Sequence, residues 1–349
     1  MSRQDKWTAK ALTRRRFLEV MGLAGVGLSA SAALAGCQPT AQKPTEVAST
    51  PVPTAKKLRV ANVVGGMGVP WVPRGVDAAN IIAKLLNIEV VVFDSDLSAD
   101  KQYSNYQDVA AQTWDFVMIQ SIATNSGLDA VQKIIDKGIP VVNYDGWIAD
   151  PPDKVKIHCM IKSDSVAMGE AVGDALAAAI GYKGNIVHTQ GLLSHSVARE
   201  RAEGFKKAMA KYPDIKVIDE TPGDWDANKV ANIWEDLLAR GVKIDAAFFH
   251  NDSMADAAAK VLENAGRLQE VKIGSIDAMP FAVENVAKGR FYVTAMNSSP
   301  RIFTDALWAG YYAVVEGEKD VPLLITEPSP LIFKENAEGY MWFQKHYIW

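Results

Sequence analysis

Residues 190–205, QGLLSHSVARERAEGF, follow the apolar run Asn185-Ile186-Val187-His188. The run has the length and apolar character of a buried strand. The Gly/Ser-containing loop after it leads into a helical pattern in which Val197, Phe205, Ala208 and Met209 fall broadly on one side. A strand that ends in a polar loop and feeds a helix aims backbone N–H groups and first-turn side chains at whatever sits above the sheet edge. Arg199 stands in that first turn and is the expected ligand grip.

The same strand-to-helix alternation extends in both directions. Strands are expected over 58–64, 88–93, 116–119, 140–144 and 155–161, with helices over 76–86, 101–112 and 128–136 between them. The series continues past the opening stretch with strands at 215–218, 246–249, 271–275 and 291–295. Helices at 166–180, 227–239, 253–265 and 302–315 separate them. Small residues in 166–180 (Gly169, Ala171, Gly173, Ala175, Ala178) would let that helix lie close to a neighbour. Such alternation predicts an α/β protein with parallel sheets covered on both faces, and 349 residues suit two doubly wound units better than one wide sheet.

The N-terminal part has another character. Thr13-Arg14-Arg15-Arg16-Phe17-Leu18 reads as a twin-arginine export signal, although Glu19 departs from the usual Lys. The apolar Gly/Ala-rich run 20–35 leads to Leu34-Ala35-Gly36-Cys37, which resembles a lipobox with Cys37 as the acylated residue. An uncleaved anchor helix is the alternative, disfavoured by the short and weakly apolar run. Residues 37–57, rich in Pro, Thr and Ala, read as a mobile tether. Loss of residues 1–36 changes the net charge from −4 to −8, which gives no attraction to nucleic acid or anionic lipid. Cys159 is then the one cysteine besides the anchor, so a core and not a disulfide must stabilise the fold.

In doubly wound folds ligands bind beyond the carboxyl ends of the strands. The residues at that address are Asp145, Gln190-Gly191, Asn251-Asp252, Asp277 and Asn297, with Trp71, Trp147 and Trp225 in neighbouring loops. Any one Asp or Asn there could be only a helix cap or turn former. Together they suit a neutral polyhydroxylated ligand: carboxylates accept hydroxyl protons, Asn donates and accepts, Arg donates in a fork, and indoles stack on C–H faces.

On these residues the chain, from Leu58 to about Asn336, resembles the type I periplasmic sugar-binding proteins of the ribose-binding kind. The match rests on Gln190-Gly191 with Ser196 to Phe205, on Asp224-Trp225-Asp226, on Phe249-His250-Asn251-Asp252-Ser253-Met254-Ala255 and on Ile276-Asp277. The resemblance implies two Rossmann-like lobes joined by a three-segment hinge near Ser163, Ser298 and Thr326. It divides the chain into one lobe of 58–163 plus 298–326 and another of 164–297 plus 327–349. It implies that Asp145, Arg199, Asn251 and Asp277 bond a sugar, that Trp225 covers it and that Asn297 lies by hinge and ligand. Val69-Pro70-Trp71-Val72 stands where the family carries Asn-Pro-aromatic-aromatic, and Gly146 where it carries Arg, so Trp147 is expected to fill vacated space and ribose is not assigned.

The function implied is that of a monomeric, lipid-anchored solute-binding subunit of an ABC importer, outside the cytoplasmic membrane, without cofactor or metal. Its partners would be a small neutral sugar or polyol and the permease. A nucleoside or signalling furanose is the alternative cargo. An exported hydrolase or oxidoreductase is the alternative class. It lacks support: there is no Gly-x-Ser-x-Gly elbow, Ser194-His195 are chain neighbours, the five histidines form no i, i+4 pair, and Val64-Gly65-Gly66-Met67-Gly68 has no dinucleotide spacing.

Overall fold

The computed structural model describes residues 57–317 and 322–346. The export signal, Cys37, the tether up to residue 56 and the last three residues of the tail lie outside the described residues. Among the described residues, no helix is long and apolar enough to cross a membrane.

Two six-stranded sheets carry the fold. The first contains β1 (Leu58–Val64), β2 (Ile88–Asp94), β3 (Phe116–Ile119), β4 (Val141–Tyr144), β5 (Cys159–Ser163) and β11 (Leu324–Glu327), in the order β2-β1-β3-β4-β5-β11. The second contains β6 (Gly184–Thr189), β7 (Ile215–Asp219), β8 (Ala246–Phe249), β9 (Lys272–Asp277), β10 (Val293–Met296) and β12 (Leu331–Ile332), in the order β7-β6-β8-β9-β10-β12. All pairings are parallel except β10 with β12. The strands are short and apolar because helices cover both faces: β3, β4 and β8 are buried along their whole length. Each sheet has its switch in strand order beside its first strand, between β1 and β3 and between β6 and β8, which is where a doubly wound sheet opens a crevice.

Helices α1 (Trp71–Leu85), α2 (Ala99–Ala111) and α3 (Leu128–Asp136) join the first strands. Helix α1 starts five residues before the expected position, so Trp71 opens a helix and does not lie in a loop. In the second lobe α4 (Ser165–Ala179) packs on α5 (Ser196–Met209) with glycines at the contact. A methyl group on Gly169 would collide with the Arg201 carbonyl, and one on Gly204 with the Val166 carbonyl, so the backbones touch where no side chain intervenes. Helices α6 (Ala227–Ala239), α7 (Asp252–Asn264) and α8 (Pro280–Ala287) complete this lobe; α8 was not anticipated from the sequence.

The chain passes between the sheets three times: after β5, after β10 at Asn297-Ser298, and through Pro328-Ser329-Pro330 between β11 and β12. Helix α9 (Ser299–Val315) returns to the first lobe and packs on α1, β3, β4 and β5. Helix α10 (Lys334–His346) takes up most of the aromatic tail. It packs on α8 and β12, and Gln344 Nε2 donates to the Ala278 carbonyl at 2.7 Å.

Candidate functional site

A small cavity of about 50 Å³ lies between the two sets of strand ends. The first lobe lines it chiefly with apolar or bare backbone groups: Gly65, Gly66, Val69, Val72, Leu97 and Ile122, with Trp71 at one side. Its two polar contributions, Gln120 and Asp145, are linked. Gln120 Oε1 accepts the Gly65 N–H at 2.8 Å and Gln120 Nε2 donates to Asp145 Oδ2 at 2.9 Å, so Asp145 is held by a side chain that is itself fixed by backbone. Asp145 has φ of 63°, a conformation Asp tolerates better than most residues.

The second lobe supplies most of the polar chemistry through His195, Arg201, Asn251 and Asp277, with Val197 and Trp225 beside them. Arg201 is buried at 2% exposure, which forces its guanidinium to find partners. It donates to the His250 carbonyl, lies 3.6 Å from Asp277 and faces the Trp225 ring at 5.7 Å, while its Nε has no partner among the described residues. Asp277 Oδ1 accepts from Asn297 Nδ2 at 3.2 Å; burial pushes its carboxyl well above the usual range, and Arg201 pulls it back. Its φ of 122° and the 64° of Trp225 are strained values for residues with a Cβ, and both occur at the cavity wall.

Deeper groups hold these residues in place. Asp252 is fully buried; its Oδ1 accepts from Ser275 Oγ (2.5 Å) and Thr294 Oγ1 (2.8 Å), and its Oδ2 from the Met279 N–H (2.7 Å). Burial lifts its carboxyl to about 7 against those three bonds, which lower it. Under Trp225 runs a histidine pair. The Gly191 N–H donates to His250 Nδ1 at 3.0 Å, so the His250 ring proton is on Nε2 and points to His188 Nε2 at 2.8 Å. His188 then carries its proton on Nδ1, toward Glu220 at 3.0 Å. Burial lowers both imidazoles, so the two rings form a neutral brace that ends on the Glu220 carboxylate. It pins Gly191, whose missing side chain lets the Trp225 indole lie flush on the loop.

Of the residues singled out from the sequence, Trp71, Asp145, Trp225, Asn251, Asp277 and Asn297 stand together at this cavity. Asn251 is also an N-cap: its Oδ1 accepts the Met254 N–H at 2.9 Å. Trp71 is packed edge-on to Phe303 and donates to the Asn297 carbonyl at 2.6 Å, so it joins the first lobe to the hinge.

Two expectations are corrected. Arg199 does not reach the cavity; its guanidinium donates to the carbonyls of Leu193 and Ser194 and to Thr124 Oγ1, in a separate exposed groove. The reason is helical pitch: at 100° per residue, Arg199 and Arg201 project from nearly opposite sides of α5. Arg201 shares the buried stripe of Val197, Ala198, Gly204, Phe205 and Ala208, a spacing visible in the sequence that would have found it. Trp147 likewise lies in the Arg199 groove, with Lys162 beside its ring at 5.9 Å. The space beside Gly146 is taken by His195 from the other lobe: a Cβ on Gly146 would stand 2.7 Å from the imidazole. Gln120 also lines the cavity, and its place directly after β3 is the same strand-end address as that of Asp145 and Asn251.

Among the described residues no group of three or more His, Cys, Asp or Glu could hold a metal ion. The cavity offers hydrogen-bonding groups of both kinds around a core of indole and aliphatic faces, an arrangement for binding.

Residues 60–319 match the family described as the periplasmic binding protein domain. The chain is 29% identical over 238 residues to the ribose import binding protein RbsB of Escherichia coli (strain K12), covering 68% of this chain and 78% of that protein. It is 29% identical over 272 residues to a xylitol-binding protein of Mycolicibacterium smegmatis, covering 77% and 75%. A crystal structure of an ABC transporter solute-binding protein from Mycobacterium smegmatis with bound glycerol superposes with a TM-score of 0.75 at 26% identity, covering 81% of this chain and 96% of that one. The chain belongs to the periplasmic binding protein family, as a type I, ribose-binding-protein-like solute-binding protein of ABC transporters and not an enzyme.

Proposed function

We propose that this protein captures a small neutral sugar or polyol between its two lobes and delivers it to an ABC permease. The observation that carries this reading is the cavity itself, where Asp145, Arg201, Asn251, Asp277 and Asn297 converge beside Trp71 and Trp225. One guanidinium accompanied by two carboxylates suits hydroxyls better than an anion. About 50 Å³ corresponds to roughly four water-sized centres, which favours a short hydroxylated ligand over a nucleoside. Ribose and xylitol, for which two of the relatives are named, are short hydroxylated molecules of that kind. The departures at Val69, Val72 and Gly146 thin the polar contacts of the first lobe, in keeping with a less hydroxylated ligand than a full aldose.

Delivery is proposed to occur outside the cytoplasmic membrane, by a monomer tethered through lipid on Cys37 after export directed by the twin-arginine-like segment. Mass spectrometry of small molecules released from the purified protein, followed by isothermal titration of the species found, tests the ligand class. Recovery and tight rebinding of an organic acid, an amino acid or a nucleoside would refute it. Labelling with radioactive palmitate, lost in Cys37→Ala, tests the anchor.

A further inference from the structure

We infer that His195 and Asp145 together hold one ligand hydroxyl, the imidazole donating to its oxygen and the carboxylate accepting its proton, so that this cross-lobe pair reads a single position of the ligand. The inference rests on the proposed function of the cleft and names a selectivity residue within it.

His195 ends the loop before α5 in the second lobe, and Asp145 follows β4 in the first. His195 is 3% exposed and its side chain lines the cavity. Its Nδ1 accepts the Val197 N–H at 3.2 Å, so in the neutral ring the proton must be on Nε2. Burial depresses the imidazole to about 4, and the charges of Arg201, Lys162 and Arg199 oppose a second proton while Asp145 favours it. At neutral pH the ring is therefore a single N–H donor, and its approach to Asp145 is not an ion pair.

That donor stands 3.7 Å from Asp145 Oδ2, beyond a direct hydrogen bond. An oxygen about 2.8 Å from each atom can bridge the gap, as bridging groups do across such separations. Asp145 Oδ2 already accepts from Gln120, and no described group donates to Oδ1, so the carboxylate retains acceptor capacity. The ring holds its place because residue 146 is glycine; any side chain there would stand in the space the imidazole occupies. A hydroxyl both accepts and donates, so it satisfies the pair. A methyl ether can only accept, and a deoxy position does neither.

The test uses isothermal titration with D-ribose, xylitol, D-allose and myo-inositol on the wild-type chain, His195→Ala and His195→Asn, with melting curves to confirm folding. The tightest binder is then compared with its monodeoxy and mono-O-methyl analogues. His195→Ala is expected to weaken the parent compound about tenfold. One monodeoxy analogue, disfavoured by the wild type, should bind the variant nearly as well as the parent does. His195→Asn, which keeps an N–H donor, should fall between and covers the case in which the alanine variant does not fold. Parent affinity within twofold of wild type in both variants would overturn the inference and leave the sugar reading standing, as would unchanged discrimination against every analogue. Failure of all four compounds to bind the wild type would instead count against the ligand class and remove the basis of the inference.

Discussion

Replacing Arg201 with alanine should cost far more affinity than replacing Arg199, although both lie on the same helix two residues apart. Arg201 is buried, with an unpartnered Nε and a guanidinium at the cavity wall. If it makes two charge-assisted bonds to ligand hydroxyls, each worth about 1.5–3 kcal/mol, their loss removes about 3–6 kcal/mol. At about 1.4 kcal/mol per decade, the dissociation constant rises by roughly two to four decades. The fold should survive, because burial already favours protonation of Asp277, and a protonated Asp277 does not need the lost cation. Arg201→Lys should recover part of the affinity, since it keeps the charge and loses the fork.

Arg199→Ala removes one bond between the lobes, to Thr124 Oγ1, in an exposed groove. That interaction is worth about 0.5–1.5 kcal/mol. Affinity should drop about two- to tenfold, equally for every ligand, because closure and not recognition is weakened. The neighbouring interlobe bonds, from Ser194 Oγ to the Ile122 carbonyl (3.1 Å), from the Trp147 N–H to Ser196 Oγ (2.8 Å) and between Lys162 and Glu200, would remain. Isothermal titration with the ligand recovered from the wild type, alongside circular dichroism melts, measures both effects. Arg201→Ala binding within threefold of wild type, or Arg199→Ala the more damaging of the two, would refute the placement.

Gly204→Ala should destabilise the second lobe by about 1–3 kcal/mol through overpacking against the Val166 carbonyl and should also weaken binding, since α5 carries Arg201; an unchanged urea midpoint would contradict the close helix contact. Between α9 and the end of β11, burial and then the hydrogen bond and charge of Glu327 lift Asp305 to about 7. Its folded value exceeds the unfolded one of about 3.9, so its contribution to stability is complete below about pH 4 and is lost as pH rises toward 7. Asp305→Asn should therefore gain melting temperature over wild type on going from pH 4.5 to 8, and parallel curves would rule this out. The Cys159 thiol is fully buried and pushed up to about 12, so in a chain starting at Lys57 it should resist a disulfide reagent at pH 8 until urea unfolds the protein; prompt reaction in the native state would show the core to be open.

Periodicity along the chain carries the fold because strand and helix spacings are local. The apolar runs at 116–119 and 246–249 could be read without knowing what they pack against. Gly169 and Gly173 already announced a close helix contact. The common address of Asp145, Asn251, Asp277 and Asn297 after their strands was legible too, because a parallel sheet presents all its carboxyl ends on one side. Helices α8 and α10 were less legible: α8 is short, and α10 carries a mixed tail sequence with only Ala337 buried.

The choice between Arg199 and Arg201 lay between these levels. The buried stripe of α5 is written in the sequence and includes Arg201, whereas first-turn position singles out Arg199, which the helix turns toward Thr124. What only the tertiary structure decided is the partner across the cleft. Local spacing cannot say that His195, some fifty residues after Gly146, would fill the space beside it, or that Trp147 would stand outside. That outcome depends on how two separately folded sheets close on one another. In the stretch 190–205, the sequence by itself determined a loop and an amphipathic helix whose buried stripe holds Arg201; what that loop meets across the cleft depended on the lobe opposite.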